Sequence, residues 1–413
     1  MRRVRGSGPG PDVFKAKARS VPPRFVTGVI SPIRVTRVYP LGNRGEGLTT
    51  VIPMTSAEIS TVQKSRTVPG QRAATDSARA KRDPFFDNAK FLLIVLVVIG
   101  HNWYPLIGQS RAIKAAYMVV YAFHMPAFIL LSGYFSRHFE ATPVQVRKLI
   151  RSVLLPYAIF EIAYLAVVAK VDRQSFRLDL FTYPSFLCWF LIALFVWRLT
   201  TPVWRAVPRP VLVSVLVSLA AGLMNISTDF AFSRILQFLP WFVAGLSVKR
   251  KHFRWLHRRA VRLWAVAVLV VALPVSYLLA PYANAGWLDM AANAVGLGVG
   301  TVEYLEIRLG LLAVGTLLVA AVLALIPERR LWLTALGAYT MYPFLLHGLF
   351  VKAAQGLGLY GKVANGGPPA VVTLTLAAVA LTLLLTTPPV RKAAGWAVEP
   401  QWPRLPWLEH VER

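Results

Sequence analysis

Two residues on one apolar stretch open the case for chemistry. Lys90 and His101 stand eleven residues apart in KFLLIVLVVIGH, which on a helix is a rise of about 16.5 Å and roughly three turns. Both therefore lie on nearly one face, with a cation at one end and a titratable imidazole deep inside. That pairing suits a channel taking an anionic donor from the cytoplasm, with the imidazole working as a base near neutral pH. Lys90 taken alone reads equally well as a snorkelling interfacial anchor.

Other ionisable groups sit where apolar residues are expected, at a cost of at least about 2.5–3.5 kcal/mol in mid-membrane. His124 lies in Phe123-His124-Met125-Pro126. Pro126 frees backbone carbonyls in mid-helix, which is tolerated only where protein or a cavity satisfies them, and the break is a means of placing His124 near His101. His124 is either a direct participant or a histidine hydrogen-bonded between packed helices. Glu161, a lone acid inside an apolar run, must stay protonated or find a partner; a histidine partner would gain orientation and basicity. His347, in Tyr342-Pro343-Phe344-Leu345-Leu346-His347-Gly348, reads more simply as a helix histidine bonded to a neighbouring carbonyl. Arg137, Arg147, Lys148 and Arg151 form a basic cluster that either holds the phosphates of a nucleotide-bearing donor or marks a cytoplasmic loop. Asp87, Ser132 and Tyr339 complete the candidates, Ser132 as an alternative to His101 for carrying a covalent acyl group.

The elements that position these groups follow from composition. Of 413 residues, 56% are hydrophobic and 15% charged, against about 25% charged in globular domains, and mean hydropathy is positive. A disordered chain, a disulfide-stapled module and a collagen-like repeat are all excluded; the single cysteine, Cys188, makes no internal disulfide. The net charge of +28 would suggest nucleic acid in a soluble domain. Here the positive residues fall in bursts between long apolar runs, as in a membrane protein, and no nucleic-acid partner is expected.

Residues 1–81 are rich in Arg, Gly, Pro, Ser and Thr and read as a flexible basic extension without the apolar core of a cleavable signal; Met54 is an alternative start. Ten apolar segments follow, at about 90–107, 115–134, 149–169, 185–199, 210–225, 235–248, 263–281, 305–326, 331–353 and 369–388, each near the roughly 20 residues that span a bilayer core. Residues 281–304 leave room for a re-entrant or interfacial piece. Counting Lys and Arg on alternate sides puts 37 of 46 on one side, and the internal loops alone still split 16 to 9. The expectation is an all-α bundle of about ten transmembrane helices over 82–390, both termini cytoplasmic, with 391–413 a short cytoplasmic tail.

No P-loop, GxSxG elbow, HExxH helix or paired cysteine occurs, so ATP-driven transport and zinc hydrolysis lose support and no metal or bound cofactor is expected.

The run Arg82-Asp83-Pro84-Phe85-Phe86-Asp87-Asn88-Ala89-Lys90, then FLLIVLVVIG and His101, resembles the opening of the acyltransferase 3 family, and more narrowly its fucose 4-O-acetylase-like group. The likeness continues in order through Phe123-His124-Met125-Pro126, Ser132-Gly133-Tyr134-Phe135, Leu154-Leu155-Pro156-Tyr157, Trp189 to Leu194 and Phe238-Leu239-Pro240-Trp241-Phe242, ending near Leu336 to Tyr339 and His347. It covers about residues 82–390; residues 1–81 have no counterpart. The resemblance implies an integral membrane enzyme of about ten helices that moves an acyl group, usually acetyl from acetyl-CoA, onto a carbohydrate hydroxyl. It matches His101 to the family's essential histidine and Lys90 to its basic partner, which is arginine in much of the family and grips phosphate bidentately there. The implied partners are acyl-CoA, a carbohydrate or glycosylated acceptor, and the bilayer.

On this reading the phosphates dock near Lys90, Arg147, Lys148 and Arg151, and His101 deprotonates the acceptor hydroxyl. His124 or a backbone N–H then stabilises the oxyanion. The rival class is a multi-pass transporter or flippase, which mid-membrane histidines and broken helices also suit. Segments 1–5 and 6–10 share no repeat symmetry, which weighs against it.

Overall fold

Prolines and capping side chains decide where the helices begin. The computed structural model describes residues 82–171, 183–224 and 229–401, and among these every regular element is a helix. The predicted extension over 1–81 and residues 402–413 of the predicted tail lie outside the described residues. Helices of nine or more residues are α1 Pro84–Trp103, α2 Arg111–Ser136, α3 Pro143–Val171, α4 Trp189–Leu199, α5 Pro210–Leu223 and α6 Leu239–Ser247. They continue as α7 Arg259–Leu279, α8 Thr301–Leu325, α9 Met341–Gly356, α10 Gly367–Leu385 and α11 Pro388–Val398. The Asp83 carboxylate accepts from Phe85 N–H at 3.0 Å, and the Ser110 hydroxyl from Ile113 N–H at 3.3 Å. Each side chain thereby satisfies one of the N–H groups that a helix start leaves without a partner. Proline at the first position of α1 and α3 needs no such partner.

Among the described residues six helices are long and apolar enough to cross a membrane: α1 with its extension to Leu106, α2, α3, α7, α8 and α10. Each predicted segment falls on one of α1 to α10, but α4, α5, α6 and α9 hold only 11, 14, 9 and 16 residues. Their rise of about 14–24 Å falls short of a hydrocarbon core of about 30 Å. The ninth segment shows how the length is lost. Its first half is a 3₁₀ turn, Thr334–Ala338, where Gly337 lies so near the start of α1 that a Cβ would sit 2.1 Å from the Asp87 carbonyl oxygen. Asn88 locks this loop by donating to the Pro327 and Arg329 carbonyls and accepting from the Thr334 hydroxyl at 2.6 Å. The stretch between Pro281 and Tyr304 is two helical turns, Gly286–Asp289 and Ala294–Leu297, too short to span.

Burial orders the bundle. In α1, 67% of the apolar window is inside the protein, against 11% for α7 and 17% for α10, so α1 is central and the other two face outward. Trp197, Tyr157, Tyr164 and Phe242 fill a core among α3, α4, α6 and α9. Phe85, Phe86, Tyr134 and Phe253 form a second, with Leu318 and Val322 of α8. In lipid, apolar contact gives little net drive, and close approach at small residues holds helices together. Gly133 of α2 and Gly245 of α6 make such a crossing: a Cβ on either would lie 2.1 Å from a carbonyl oxygen of the partner helix, Phe242 or Leu130. Pro126 leaves the Ala122 carbonyl without its helical N–H, and that oxygen faces Gly315 of α8, where a Cβ would lie 3.0 Å away.

Candidate active site

The last turn of α1 is pinned from several sides. Asn102 donates to Val98 O at 2.8 Å and accepts from the Tyr360 hydroxyl at 2.9 Å, while Trp103 Nε1 donates to Thr375 at 3.0 Å. His101 sits on this fixed turn, its Nδ1 2.9 Å from Nε2 of His347 on α9, with the two rings 11° from parallel. Proton positions follow from what each partner can do. The other nitrogen of His347, Nδ1, bonds the Pro343 carbonyl, which only accepts. Neutral His347 therefore carries its proton on Nδ1 and accepts at Nε2. His101 must donate from Nδ1, and its Nε2 keeps a lone pair.

His124 shows the same pattern one helix away, its Nδ1 donating to Val120 O at 2.9 Å. Both histidines line a cavity of about 270 Å³ shared with Tyr117 and Tyr121, although α2 runs unbroken through Pro126 and no helix break was needed to bring them there. Tyr117, Tyr121 and His124 follow at i, i+4 and i+7 on one face of α2. Tyr121 lies between the histidines, with ring centroids 6.3 Å from His101 and 4.4 Å from His124. Gly100 makes this possible, since a Cβ there would lie 2.7 Å from the Tyr121 ring. With its proton held by Val120, neutral His124 presents a lone pair at Nε2 and cannot donate to an oxyanion. Of the cavity's other hydrogen-bond donors, Tyr121 is the one whose ring lies between the two imidazoles.

The cavity lining also holds groups that sequence reasoning missed. Arg234, on the short helix Phe232–Gln237, and Asp289 both line the cavity beside Trp189. Arg234 Nε donates to the Asp289 backbone carbonyl at 3.1 Å, and its guanidinium lies 5.2 Å from the Trp189 ring centroid. Burial pushes the Asp289 carboxyl up, and the nearby Arg234 cation partly offsets that shift. Arg308, buried in α8, is a further charge inside a predicted span. It donates to Gln237 O at 3.3 Å and contacts Met290 Sδ at 2.9 Å. Gln237 in turn donates to Ala292 O at 3.2 Å. These bonds hold the Gly286–Asp289 turn against the cavity. Nothing in local spacing links residues 55 apart such as Arg234 and Asp289; only the heptad-like face of α2 was readable.

Glu161 is not a partner of histidine. Both its oxygens accept from the Ser185 backbone N–H, at 2.8 and 2.9 Å, and it has a side-chain hydrogen bond with Cys188. The carboxylate thus fixes the turn entering α4, which carries Phe186 to within 4.9 Å of the His101 ring. Glu161 is not one of the residues that line the cavity.

The remaining candidates lie elsewhere. Lys90 pairs with Asp87 at 2.7 Å, Arg151 Nε donates to Pro400 O at 3.0 Å, and Lys148 is exposed. None of these, nor Arg147, lines the cavity. Ser132 accepts from Ser136 through its carbonyl, eight residues beyond His124. The Tyr339 ring is covered by Arg391 at 3.6 Å.

The sequence profile of an acyltransferase domain, the acyltransferase 3 type, matches residues 83–387. The chain belongs to the acyltransferase 3 family. The matched span contains every residue of the cavity, including both histidines, so the described bundle is a membrane acyltransferase domain. Among curated proteins it is similar to nodulation protein NolL of Mesorhizobium japonicum, 40% identical over 68 residues, which is 16% of this chain and 18% of that protein. Nodulation protein NolL of Sinorhizobium fredii is 35% identical over 69 residues, 16% of this chain and 19% of that protein. The chain thus matches under a fifth of the length of these relatives. No solved structure matches it.

Proposed function

We propose that this acyltransferase moves an acyl group, acetyl in the simplest case, from acyl-CoA to a hydroxyl of a carbohydrate or glycosylated acceptor, as its likeness to the fucose 4-O-acetylase-like group implies. The observation that carries the reading is the lone pair of His101 Nε2, fixed by the His347 to Pro343 relay beside a cavity lined by His101 itself. His101 Nε2 takes the acceptor hydroxyl proton as the oxygen attacks the thioester carbonyl. The tetrahedral oxyanion is held by the Tyr121 hydroxyl. Its collapse breaks the C–S bond, and the departing thiolate takes the proton back from the His101 imidazolium, giving an ester and free CoA.

The donor phosphates dock at the end of the bundle that carries Lys90, Arg147, Lys148 and Arg151, and the pantetheine arm runs the roughly 16.5 Å along α1 to His101. The domain sits in a cell membrane with ten passages, the four short helices completed by flanking turns, and with both termini cytoplasmic.

The test is transfer of label from radiolabelled acetyl-CoA into carbohydrate-containing material by membranes with matched amounts of wild type, His101→Ala and Lys90→Ala. Transfer should require His101, and Lys90→Ala should mainly raise the acetyl-CoA requirement. Equal label in all three, above membranes lacking the protein, would overturn the assignment.

A further inference from the structure

We infer that Arg234, Asp289 and Trp189 form the acceptor subsite, built for an uncharged sugar ring with vicinal hydroxyls; the inference rests on the acyl-transfer reading of the same cavity. Three observations converge. Among the described residues the Asp289 carboxylate accepts no hydrogen bond from the protein, though the Arg234 cation is near enough to act on it, and Asp289 lines the cavity. Arg234 spends only Nε on the protein, at the Asp289 carbonyl, so its two Nη groups are free to donate. Trp189 stacks on Phe238 with ring planes 17° apart and carries the Arg234 guanidinium over its ring, so it anchors that cation in the cavity that all three residues line.

A pyranose needs that combination. Its C–H groups pack against aromatic side chains, of which the cavity offers Tyr121 and Phe186 beside Trp189, while adjacent hydroxyls, each donor and acceptor at once, bridge a fork of N–H groups and a carboxylate. The pair carries no net charge, which favours a neutral ring over an anionic one. The cavity volume of about 270 Å³ equals roughly nine waters, room for one sugar residue beside the thioester. The subsite is also preorganised, because Arg308 and Gln237 hold the segment from Met290 to Ala292 and so fix Asp289 from behind. His101 and the Arg234–Asp289 pair line one cavity, so a sugar held by the pair presents a further hydroxyl to Nε2.

Binding and catalysis are separated by using His101→Ala protein in nanodiscs with a panel of methyl hexopyranosides, and cyclohexanol as a ring alcohol without vicinal hydroxyls. Saturation-transfer NMR should show at least one glycoside binding above cyclohexanol. The signal should be lost on adding Asp289→Asn or Arg234→Lys to proteins whose thermal midpoint is unchanged. In protein with His101 intact, the same changes should raise KM for that glycoside at least tenfold while kcat falls less than threefold. Should either variant fail to fold, phenylglyoxal modification of Arg234 in unaltered protein, mapped by mass spectrometry, should be slowed by the glycoside and not by cyclohexanol. The subsite is overturned if no glycoside binds above cyclohexanol, or if binding and protection ignore Asp289 and Arg234. Binding that depends on Asp289 without any acyl transfer would instead defeat the acyl-transfer reading and leave the subsite standing.

Discussion

Replacing His347 tests the proton arrangement most directly. In His347→Phe the ring volume is roughly kept, but Nδ1–H of His101 loses its acceptor at 2.9 Å. An unsatisfied buried donor costs about 1–3 kcal/mol. The ring relieves that cost by turning or by moving its proton to Nε2, and either removes the base from the cavity. At about 1.36 kcal/mol per tenfold, kcat should fall roughly 5- to 150-fold. KM for donor and acceptor should hardly move, since neither substrate touches His347. His347→Gln, whose side-chain carbonyl can accept from Nδ1–H, should recover part of the rate. The assay is steady-state transfer from labelled acetyl-CoA by detergent-purified variants, with His101→Ala and the double variant alongside. His347→Phe in a His101→Ala background should cost almost nothing more, because the two residues act as one unit. Wild-type kcat in His347→Phe, or equal loss in the Gln and Phe variants, would refute the tautomer argument.

Tyr121→Phe should lower kcat about 10²-fold or more with little change in KM if the hydroxyl meets the oxyanion, read in the same assay. Gly100→Ala puts a Cβ 2.7 Å from the Tyr121 ring and should depress kcat without loss of folded protein, since the ring can swing, as a thermal melt alongside the assay would show. Gly245→Ala meets backbone instead, 2.1 Å from Leu130 O. It should cost about 1–3 kcal/mol or more, seen as a lower thermal midpoint in nanodiscs. Glu161→Ala frees the Ser185 turn and should lower kcat through Phe186, whereas Glu161→Gln, still able to accept from Ser185 N–H, should retain most activity in the transfer assay.

Sequence periodicity located the helices well because an apolar run in a membrane chain has few other conformations open to it. It overstated the length of α9, since the Gly337 loop is apolar for packing on α1 and not for contact with lipid. His101 and His124 were legible as costly groups in apolar runs, whereas the break expected at Pro126 is absent, since α2 runs through it. The role of His347 was half legible. The carbonyl bond was foreseeable from helix geometry, but the contact with His101 joins residues 246 apart. Glu161 was noticed for its charge and misread in partner, because a backbone N–H that enters a turn leaves no mark in composition. Arg234 and Asp289 look like ordinary loop charges until the fold closes over them.

The Pro343 carbonyl also bears on energy coupling. A row of imidazoles can pass a proton hand to hand only if its far end can release one. Here the row runs from the cavity through His101 and His347 and stops at an amide oxygen, a base too weak to hold a proton. Any proton that His101 takes from the cavity has to return to the cavity. A turnover at this site moves no net charge across the bilayer, and its rate should be indifferent to an imposed proton gradient when the pH on both faces stays within the working range.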